Sequence, residues 1–477
     1  MRSIKRVAEV LDAPIHHPTR AQPLTGASID SRTIQPGQLF VALSGERTDG
    51  HRFLEDAFRR GASGALVHDV PTGDQAGLAN CIQVPDPLNA LQKLATQRRA
   101  ELSIPVVGIT GSAGKTTTKE LIYAVLSERY QVYCSPGNFN TEIGLPLALL
   151  NVPDETDVAV VEMGLQHPGD IQELAEIGQP THGVLTSIGD AHIGHFRDQA
   201  GLAHEKWSLM EAVPAWGTAV LNVDAPFAAE WRQHLACETW ALSLERTDVD
   251  MGIVDIDDTQ LEGFVLTASV EGQAVPIETQ LLGRHNGYAV LAALATGRAF
   301  EVSIEAIQRA IASFSPIAHR MEPKRAPQHG LIVDDTYNAS PTAVRAALKT
   351  LTRLKEDIPK FAVLGDMREL GDRADTEHVS LAEDVNELGI DTVLTIGDFA
   401  KHITDQLRRR HGWSADRAIH ATEIEDLENE LAKRTRKKGA LVLVKGSRAM
   451  ELDQFVDRLV TPIRASDPMS SHDPDRA

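Results

Sequence analysis

The feature that most constrains the fold is a glycine-rich segment, "GITGSAGKTTTKE", at residues 108–120. The apolar run "IPVVGIT" leads into it as a buried strand would, and "KTTTKELIYAVLSERY" continues with the apolar spacing of a helix. Glycines between a strand and a helix let backbone N–H groups point at an anion, and the helix N-terminus adds partial positive charge. The segment therefore predicts an α/β fold with a phosphate site at this turn.

The glycine spacing of this loop differs from the most widespread phosphate loop, which has a glycine, four residues and then Gly-Lys-Ser/Thr. Ile109 stands where the first glycine would be, and the loop reads G-x-x-G-x-x-G-K-T from Gly108 to Thr116. The chemical part remains, because Lys115 would neutralise phosphate oxygens and the Thr116 hydroxyl would bind Mg²⁺. The alternative is a ligand-free glycine-rich turn, which Gly-Lys-Thr-Thr at the helix start disfavours.

The length of 477 residues allows about three domains, and alternating apolar runs and helices place their limits. Residues 1–100 predict a small α/β domain. Residues 101–315 predict a doubly wound parallel sheet with an antiparallel excursion at "GFVLTASVEGQAVPIETQLLG". The proline-containing stretch "SFSPIAHRMEPKRAPQHG" is expected to be a linker into a Rossmann-like domain, residues 316–465, with a second open parallel sheet. The polar residues 466–477 are expected to be a disordered tail.

Composition restricts the environment of the chain. The net charge of −20 disfavours nucleic-acid binding, because such a chain repels phosphate backbones. Cys81, Cys134 and Cys237 are isolated and odd in number, as expected of reduced cysteines in the cytoplasm. The amphipathic N-terminus lacks the apolar core of a signal peptide, and no apolar run approaches the roughly 18 residues of a membrane span. A cytoplasmic monomer is expected.

Candidate metal ligands follow the predicted parallel strands. Glu162 ends "DVAVVEMG", and His192 follows "HGVLTSIGDAH". Ligands of open α/β sheets bind at the carboxyl ends of strands, so both residues satisfy the expected placement. His195, three residues further, could equally be the ligand.

Other polar residues have two interpretations. Asn138 and Asn140 precede a helix in "SPGNFNTEIGLPLALL" and could bind metal or, more commonly, cap the helix. Lys206 in "GLAHEKWSLM" would ordinarily be a solvated helix lysine. The clusters "GRHNGYAV" and "DDTYNASP" are typical of turns and caps.

Together and in this order, these segments resemble the Mur ligases, the ATP-dependent amide-forming enzymes of peptidoglycan precursor synthesis. The loop spacing of "GITGSAGKT" is the form that this family carries. The stretches "DSRTIQPGQLFVALSGERTDGHRFLEDA", "SPGNFNTEIGLPL", "DDTYNASPTAVRAAL" and "LGDMRELG" are most similar to the member that adds D-alanyl-D-alanine, and "VLVKGSRAMELDQFV" also fits. The resemblance covers roughly residues 25 to 460.

The resemblance implies roles for individual residues. The implied ATP-binding residues of the loop are Gly111, Ser112, Ala113, Gly114, Lys115, Thr116 and Thr117. Outside the loop, His285 and Asn286 are implied at the adenine, Arg320 at the phosphates and Asp335 at the ribose. The implied Mg²⁺ ligands are Thr116, Glu162, His192 and, if carbamylated, Lys206. The implied catalytic residues are Lys115, Glu162, His192 and Lys206. Ser31 and Arg32 are implied at the UDP-sugar, and Asn338 and Ser340 at the incoming dipeptide.

Three places differ from the family pattern, at Ser187, at Trp207-Ser208 and at Ala289. The family usually has asparagine, Gly-Glu and asparagine there, respectively. None of the three is expected to touch the loop or the metal ligands.

The implied reaction joins D-alanyl-D-alanine to UDP-MurNAc-tripeptide (UDP-N-acetylmuramoyl-tripeptide). ATP would convert the terminal carboxylate of the tripeptide into an acyl phosphate, which the dipeptide amine then attacks. A sibling ligase adding the third, diamino acid residue is disfavoured because its Asp-Asn-Pro-Arg motif is missing from the sequence. A folylpolyglutamate synthetase lacks such an N-terminal UDP-sugar domain. An ATP-binding switch or scaffold without catalysis is the alternative from another class.

Overall fold

A computed structural model of the chain describes residues 3–19, 23–45, 48–70, 72, 78–270, 272–435 and 439–460. Within these ranges the chain forms three sheets with helices packed against them, the three-domain α/β architecture that the sequence predicts. The predicted disordered tail, residues 466–477, lies outside the described residues. Among the described helices, none combines the length and the apolar character needed to cross a bilayer.

The helices share the expected amphipathic or buried character and are α1 (Ile4–Leu11), α2 (Leu54–Arg59), α3 (Pro87–Glu101), α4 (Lys115–Ser127), α5 (Gly144–Leu150), α6 (Asp170–Gly178), α7 (Gln199–Glu211), α8 (Ala228–Trp231), α9 (Gly287–Ala299), α10 (Ile304–Ser313), α11 (Pro341–Arg353), α12 (Ala374–Glu387), α13 (Lys401–His411), α14 (Ile424–Thr435) and α15 (Leu452–Leu459).

The strands are β1 (Ile15–His16), β2 (Gly26–Ser28), β3 (Gln38–Val41), β4 (Gly64–Val67), β5 (Cys81–Gln83), β6 (Val106–Thr110), β7 (Val132–Cys134), β8 (Val158–Glu162), β9 (His182–Leu185), β10 (Thr218–Asn222), β11 (Glu238–Leu242), β12 (Met251–Gln260), β13 (Gly263–Val270), β14 (Gln273–Thr279), β15 (Glu322–Ala326), β16 (Gly330–Asp335), β17 (Lys360–Gly365), β18 (Thr392–Ile396), β19 (Ala418–Ala421) and β20 (Ala440–Lys445).

The first sheet has the order β1-β5-β4-β3-β2 and is parallel apart from β1. Its edge strand β2 is attached to the central domain by Asn151, which follows α5. The Asn151 side chain accepts a hydrogen bond from Ala27 N at 3.3 Å and donates one to Ala27 O at 2.9 Å. One apolar cluster includes Val41 and Leu66 of this sheet and Leu145 of α5. The first two domains therefore share a continuous core.

The central sheet has the order β14-β13-β12-β11-β10-β9-β6-β8-β7. It is parallel from β7 to β12, and β12 to β14 form the expected antiparallel excursion. Strand β6 lies between β8 and β9, so successive connections leave it toward opposite sides of the sheet. Such a reversal opens a crevice at the carboxyl end of the strand, and the glycine loop follows β6 at that place.

The third sheet has the order β15-β16-β20-β17-β18-β19. Its strands β16 to β20 are parallel, whereas β15 pairs antiparallel with β16. Within the segment predicted as a linker, residues 322–326, "EPKRA", form this edge strand. An edge strand tolerates the proline and charges that made the segment look irregular.

The antiparallel hairpin of the central sheet packs on the third domain. Leu261, between β12 and β13, and Leu282, after β14, belong to the apolar cluster of the third domain. Asp258 of β12 is fully buried and accepts hydrogen bonds from Nε and Nη2 of Arg353 in α11, at 2.8 and 2.5 Å. The hairpin thus fixes one side of the boundary between the second and third domains.

Candidate active site

The glycine loop turns sharply from β6 into α4. Gly111 and Gly114 have φ angles of +150° and +81°, which L side chains rarely adopt. A Cβ at Gly111 would also lie 2.0 Å from Thr186 Oγ1. Helix α4 begins at Lys115, directly after Gly114, so its free N–H groups face the crevice. A strand, a glycine loop and a helix N-terminus in this arrangement are suited to bind an anion.

The segment after β9 supports the loop. Ser112 N donates to Ser187 O at 3.0 Å, and Ala113 N donates to Ser187 Oγ at 2.9 Å. The Ser112 hydroxyl accepts from Gly189 N at 2.9 Å. The expectation that Ser187 does not touch the loop is therefore wrong, since its side chain binds the loop backbone.

Glu162, at the end of β8, is the centre of a buried polar chain. Its side chain is 2% exposed, and its Oε2 accepts from Thr116 Oγ1 at 2.9 Å. Its Oε1 accepts from Asn140 Nδ2 at 2.7 Å, so Asn140 orients the carboxylate and does not cap a helix. Both partners are neutral, and no ion pair to Glu162 occurs among the described residues. A carboxylate oxygen and a hydroxyl oxygen are a donor set that fits Mg²⁺.

Lys115 lies where several charges meet. Its Nζ donates to Gly111 O at 2.8 Å. Burial lowers the pKa of Lys115, the positive charge of Arg320 lowers it further, and the carboxylates of Glu162 and Glu369 oppose this shift. These four groups from both sides of the domain boundary therefore surround one site.

Lys206 of α7 is a buried lysine and not the solvated residue that its helix position first indicated. It is 1% exposed, and burial followed by the charge of Lys115 holds its pKa well below the usual range. Both effects favour the neutral amine, which is the form that reacts with CO₂. The adjacent Trp207 is 3% exposed and packs edge-on against Trp231, with ring centroids 5.5 Å apart.

His192 projects from the segment after β9 with a left-handed backbone, φ +66°. Its Nδ1 lies 2.8 Å from Glu369 Oε2 of the third domain. The alternative ligand His195 instead packs its ring against His167, with centroids 5.2 Å apart. Of the two histidines, His192 is thus the one held by a carboxylate.

Arg320 reaches the loop from beyond the central domain. Its Nη2 donates to Thr116 Oγ1 at 3.0 Å, and its guanidinium lies 3.9 Å from the centroid of the Tyr337 ring. Its neighbours His319 and Met321 have φ angles of +62° and +52°. These two residues, one on each side of Arg320, give the chain an unusual turn that aims Arg320 at the phosphate loop.

A buried network holds this turn. Asp334 of β16 is fully buried, and its Oδ2 lies 2.8 Å from His319 Nδ1 and 2.7 Å from Lys324 Nζ. His319, Glu322 and Asp334 lie close enough to bind a cation. The Lys324 ammonium already lies there, 3.1 Å from Glu322 Oε2, so the cluster is an internal ion-pair network.

The residues expected at the nucleoside lie where the second and third domains meet. Asp335 Oδ2 accepts from Lys445 Nζ at 2.5 Å, and Lys445 also donates to Asn338 O at 3.0 Å. Burial lowers the pKa of His285, an effect that the charge of Asp335 opposes and that of Lys445 reinforces. The Asn286 side chain donates to Leu282 O at 2.7 Å, a contact within its own turn.

The remaining predicted residues have local partners. Ser340 begins α11, and its hydroxyl accepts from Ala343 N at 3.4 Å, so it is a helix cap. Arg32 is exposed and pairs with Asp30, with Nη2 to Oδ2 at 2.7 Å. Ser31 is buried on the first sheet's domain. Among the described contacts, neither Ser31 nor Arg32 reaches the glycine loop.

Comparison with known families places all three domains. The Mur ligase middle domain matches residues 109–297, the Mur ligase, glutamate ligase domain matches residues 319–448, and the Mur ligase family, catalytic domain matches residues 23–99.

The chain belongs to the Mur ligase family.

Individual relatives match over nearly the full length of this Mur ligase. It is 34% identical to the UDP-N-acetylmuramoyl-tripeptide–D-alanyl-D-alanine ligase of Bacillus subtilis over 96% of this chain and 98% of the relative. The crystal structure of MurF from Acinetobacter baumannii has a TM-score of 0.85 and 27% identity, covering 96% and 98% of the two chains. MurF from Thermotoga maritima, solved with ADP, has a TM-score of 0.78 and 29% identity, covering 91% and 96%.

Three residues of this Mur ligase site were not singled out from the sequence. Lys119 of α4 is fully buried and donates Nζ to Ser135 O at 2.6 Å and to Gly137 O at 3.1 Å, which holds the loop carrying Asn140. Lys445 and Glu369 both come from the third domain. A lone lysine ending the apolar run "ALVLVKG" was the available signal for Lys445.

Proposed function

We propose that this Mur ligase joins D-alanyl-D-alanine to UDP-MurNAc-tripeptide, with ATP converted to ADP and phosphate. The observation that carries the proposal is the match over 96% of the chain to a ligase of that name. In the reaction, an oxygen of the tripeptide carboxylate attacks the γ-phosphorus and ADP leaves. The dipeptide amine then attacks the acyl carbon of the acyl phosphate, loses a proton and expels phosphate.

The loop and its neighbours would hold ATP. The proposed phosphate contacts come from residues 111–117, with Lys115 and Arg320 as the cations. Bound phosphates add negative charge beside Lys115, which favours its ammonium form and offsets the effect of burial. Positive groups fixed around the transferring phosphoryl group stabilise the charge that develops there. Asp335 is assigned to the ribose, and His285 and Asn286 to the adenine.

Mg²⁺ would be held by Thr116, Glu162, His192 and a carbamylated Lys206. The buried Glu162 carboxylate, whose hydrogen-bond donors are both neutral, supports this assignment. When bound, Mg²⁺ would neutralise phosphate oxygens. The residues themselves prepare the site: Asn140 orients Glu162, and Ser187 keeps the loop in place.

Lys206 would become an anionic oxygen ligand by adding CO₂ and losing a proton. Its burial and lowered pKa support the modification, because the neutral amine is the nucleophile. Protein equilibrated with ¹³C-bicarbonate is expected to show a carbamate carbon resonance by NMR that is missing in Lys206→Ala. A wild-type spectrum without that resonance would remove Lys206 from the ligand set.

The two peptide substrates would bind on opposite sides of the ATP site. Ser31 and Arg32 are assigned to the UDP-sugar and Asn338 and Ser340 to the dipeptide, with closure of the third domain about residues 316–321, which precede β15. Closure would keep water from the acyl phosphate. We also propose a cytoplasmic monomer, and the three free cysteines favour the cytoplasm.

Phosphate release tests the proposal. The purified protein with ATP and Mg²⁺ should release phosphate strongly only when both UDP-MurNAc-tripeptide and D-alanyl-D-alanine are present, and mass spectrometry should find the pentapeptide product. Release with UDP-MurNAc-dipeptide and a diamino acid would instead identify a ligase for the third residue. Release independent of both substrates would contradict the ligase, and no release at all would support an ATP-binding switch or scaffold without catalysis.

A further inference from the structure

The motif "LGDMRELG", residues 364–371, has no role in the chemistry described so far. It follows β17 at the carboxyl edge of the third sheet, and its Glu369 has a left-handed backbone with φ +65°. From this position the carboxylate crosses the domain boundary to His192, where Oε2 lies 2.8 Å from Nδ1. The motif therefore brings a third-domain acid into contact with a residue of the ATP-binding domain.

The two segments fit closely around this contact. A Cβ at Gly194 would lie 3.1 Å from Gly371 N and 3.2 Å from Glu369 O, so the backbones nearly touch. Close by, Asp190 pairs with Arg373 at 3.5 Å. His192 and Glu369 both have φ angles near +65°, a conformation that costs about 1 kcal/mol or more per residue. Such backbones persist where surrounding contacts require them, which indicates a built contact and not a chance ion pair.

The 2.8 Å contact between His192 Nδ1 and Glu369 Oε2 has a direct chemical consequence for the imidazole. A histidine that donates its Nδ1 proton to a carboxylate keeps the lone pair of Nε2 free for a metal, and its ring orientation is fixed. Histidines that bind metals in proteins nearly always donate their other ring N–H to such an acceptor. Glu369 is that acceptor for His192, and it belongs to a different domain.

We propose that Glu369 is a positioning residue for the metal site, which closure of the third domain completes by bringing this carboxylate to His192 Nδ1. The inference rests on the proposed role of His192 as a metal ligand. Metal affinity would then depend on domain position, so the ATP site would be complete only when the domain carrying the dipeptide site is closed.

Metal binding by the full-length protein tests the inference without catalysis. Mn²⁺ is titrated into the protein–ADP complex and free Mn²⁺ is measured by electron paramagnetic resonance. Glu369→Ala is expected to weaken Mn²⁺ binding by about 10- to 100-fold, the usual effect of removing a partner of a metal-binding histidine. Glu369→Gln keeps an acceptor without the charge and should lie between wild type and Glu369→Ala.

Arg373→Ala is the matched control, because it removes a neighbouring contact across the same boundary without touching His192. It should bind Mn²⁺ within about threefold of wild type, and in a His192→Ala background Glu369→Ala should cause no further loss. Unchanged affinity in Glu369→Ala, an equal loss in Arg373→Ala, or an additive loss in the His192→Ala background would each overturn the inference. The titrations contain neither peptide substrate, so failure of the ligase assay would overturn the proposed function and leave this result standing.

Discussion

At the scale of single residues, two buried lysines of the site have different electrostatic surroundings. Lys115 has a hydrogen bond to Gly111 O and the carboxylates of Glu162 and Glu369 within electrostatic reach. Lys206 forms no hydrogen bond or ion pair in the described part of the chain, and the charge of Lys115 acts against its own. Burial lowers the pKa of both lysines; two carboxylates oppose that shift at Lys115, whereas the charge of Lys115 adds to it at Lys206.

Replacing Lys115 by alanine should separate chemistry from folding. Its side chain has one hydrogen bond to the loop. The free energy of unfolding of Lys115→Ala should therefore lie within about 1 kcal/mol of the wild-type value. The loss of a cation at the transferring phosphoryl group should lower kcat at least about 100-fold. Phosphate release and thermal unfolding measure the two effects. Retained turnover would contradict the assignment of the loop.

Local contacts at the site could be predicted from the sequence, whereas distant ones could not. The strand, loop and helix around Lys115 follow from neighbouring residues, and so does the strand-end position of Glu162. Ser187 contacts Ala113 across 74 positions of sequence, and Arg320 contacts Thr116 across 204. The spacing of residues along the sequence does not predict such pairs, because they depend on the order of the strands in the sheet and on how the domains pack against each other.

At the scale of elements, helix α11 begins with a capping serine in the motif "NASP". The Ser340 hydroxyl accepts from Ala343 N, and Pro341 occupies the first helical position, where its missing N–H costs nothing. The sequence interpretation of this motif as a turn and cap is thus consistent with the hydrogen bond. The same residue is also assigned to the dipeptide, and the two roles can be measured apart.

Ser340→Ala should lower the free energy of unfolding by about 1 kcal/mol, because one helix N–H loses its acceptor. Ser340→Asp keeps an acceptor and should retain the stability. Urea unfolding measures both variants, and equal stability of Ser340→Ala and wild type would contradict the cap. A raised KM for D-alanyl-D-alanine in the stable Ser340→Asp variant would support contact with the dipeptide.

At the scale of the whole molecule, the boundary between the second and third domains has two kinds of contact. On one side, the hairpin carries buried Asp258 to Arg353 and Leu261 into the third domain's core. On the other, Arg320 and Glu369 cross the boundary with exposed or polar partners at the ATP site. The buried side is suited to remain in place while the polar side opens and closes.

Arg353→Ala should destabilise this boundary, because Asp258 would stay buried without its cation. Loss of one partner of a buried pair costs about 3 to 5 kcal/mol, and the half-exposed Arg353 favours the lower end. The thermal unfolding midpoint should fall. Adding Asp258→Asn removes the unpaired buried carboxylate and should recover part of the lost stability. A double variant that is no more stable than Arg353→Ala would contradict this explanation.

The hairpin also limits how the third domain could be exchanged between relatives. A fragment of residues 316–460 would contain all strands of the third sheet. It would lack Leu261 and Leu282, which belong to the apolar cluster of the third domain. In a chimera with another ligase, that fragment would pack against the hairpin of the other protein, whose side chains would not fill the apolar cluster equally well. The unit of recombination is therefore discontinuous: it consists of the third domain together with a hairpin that the chain makes about 60 residues earlier, within the central sheet.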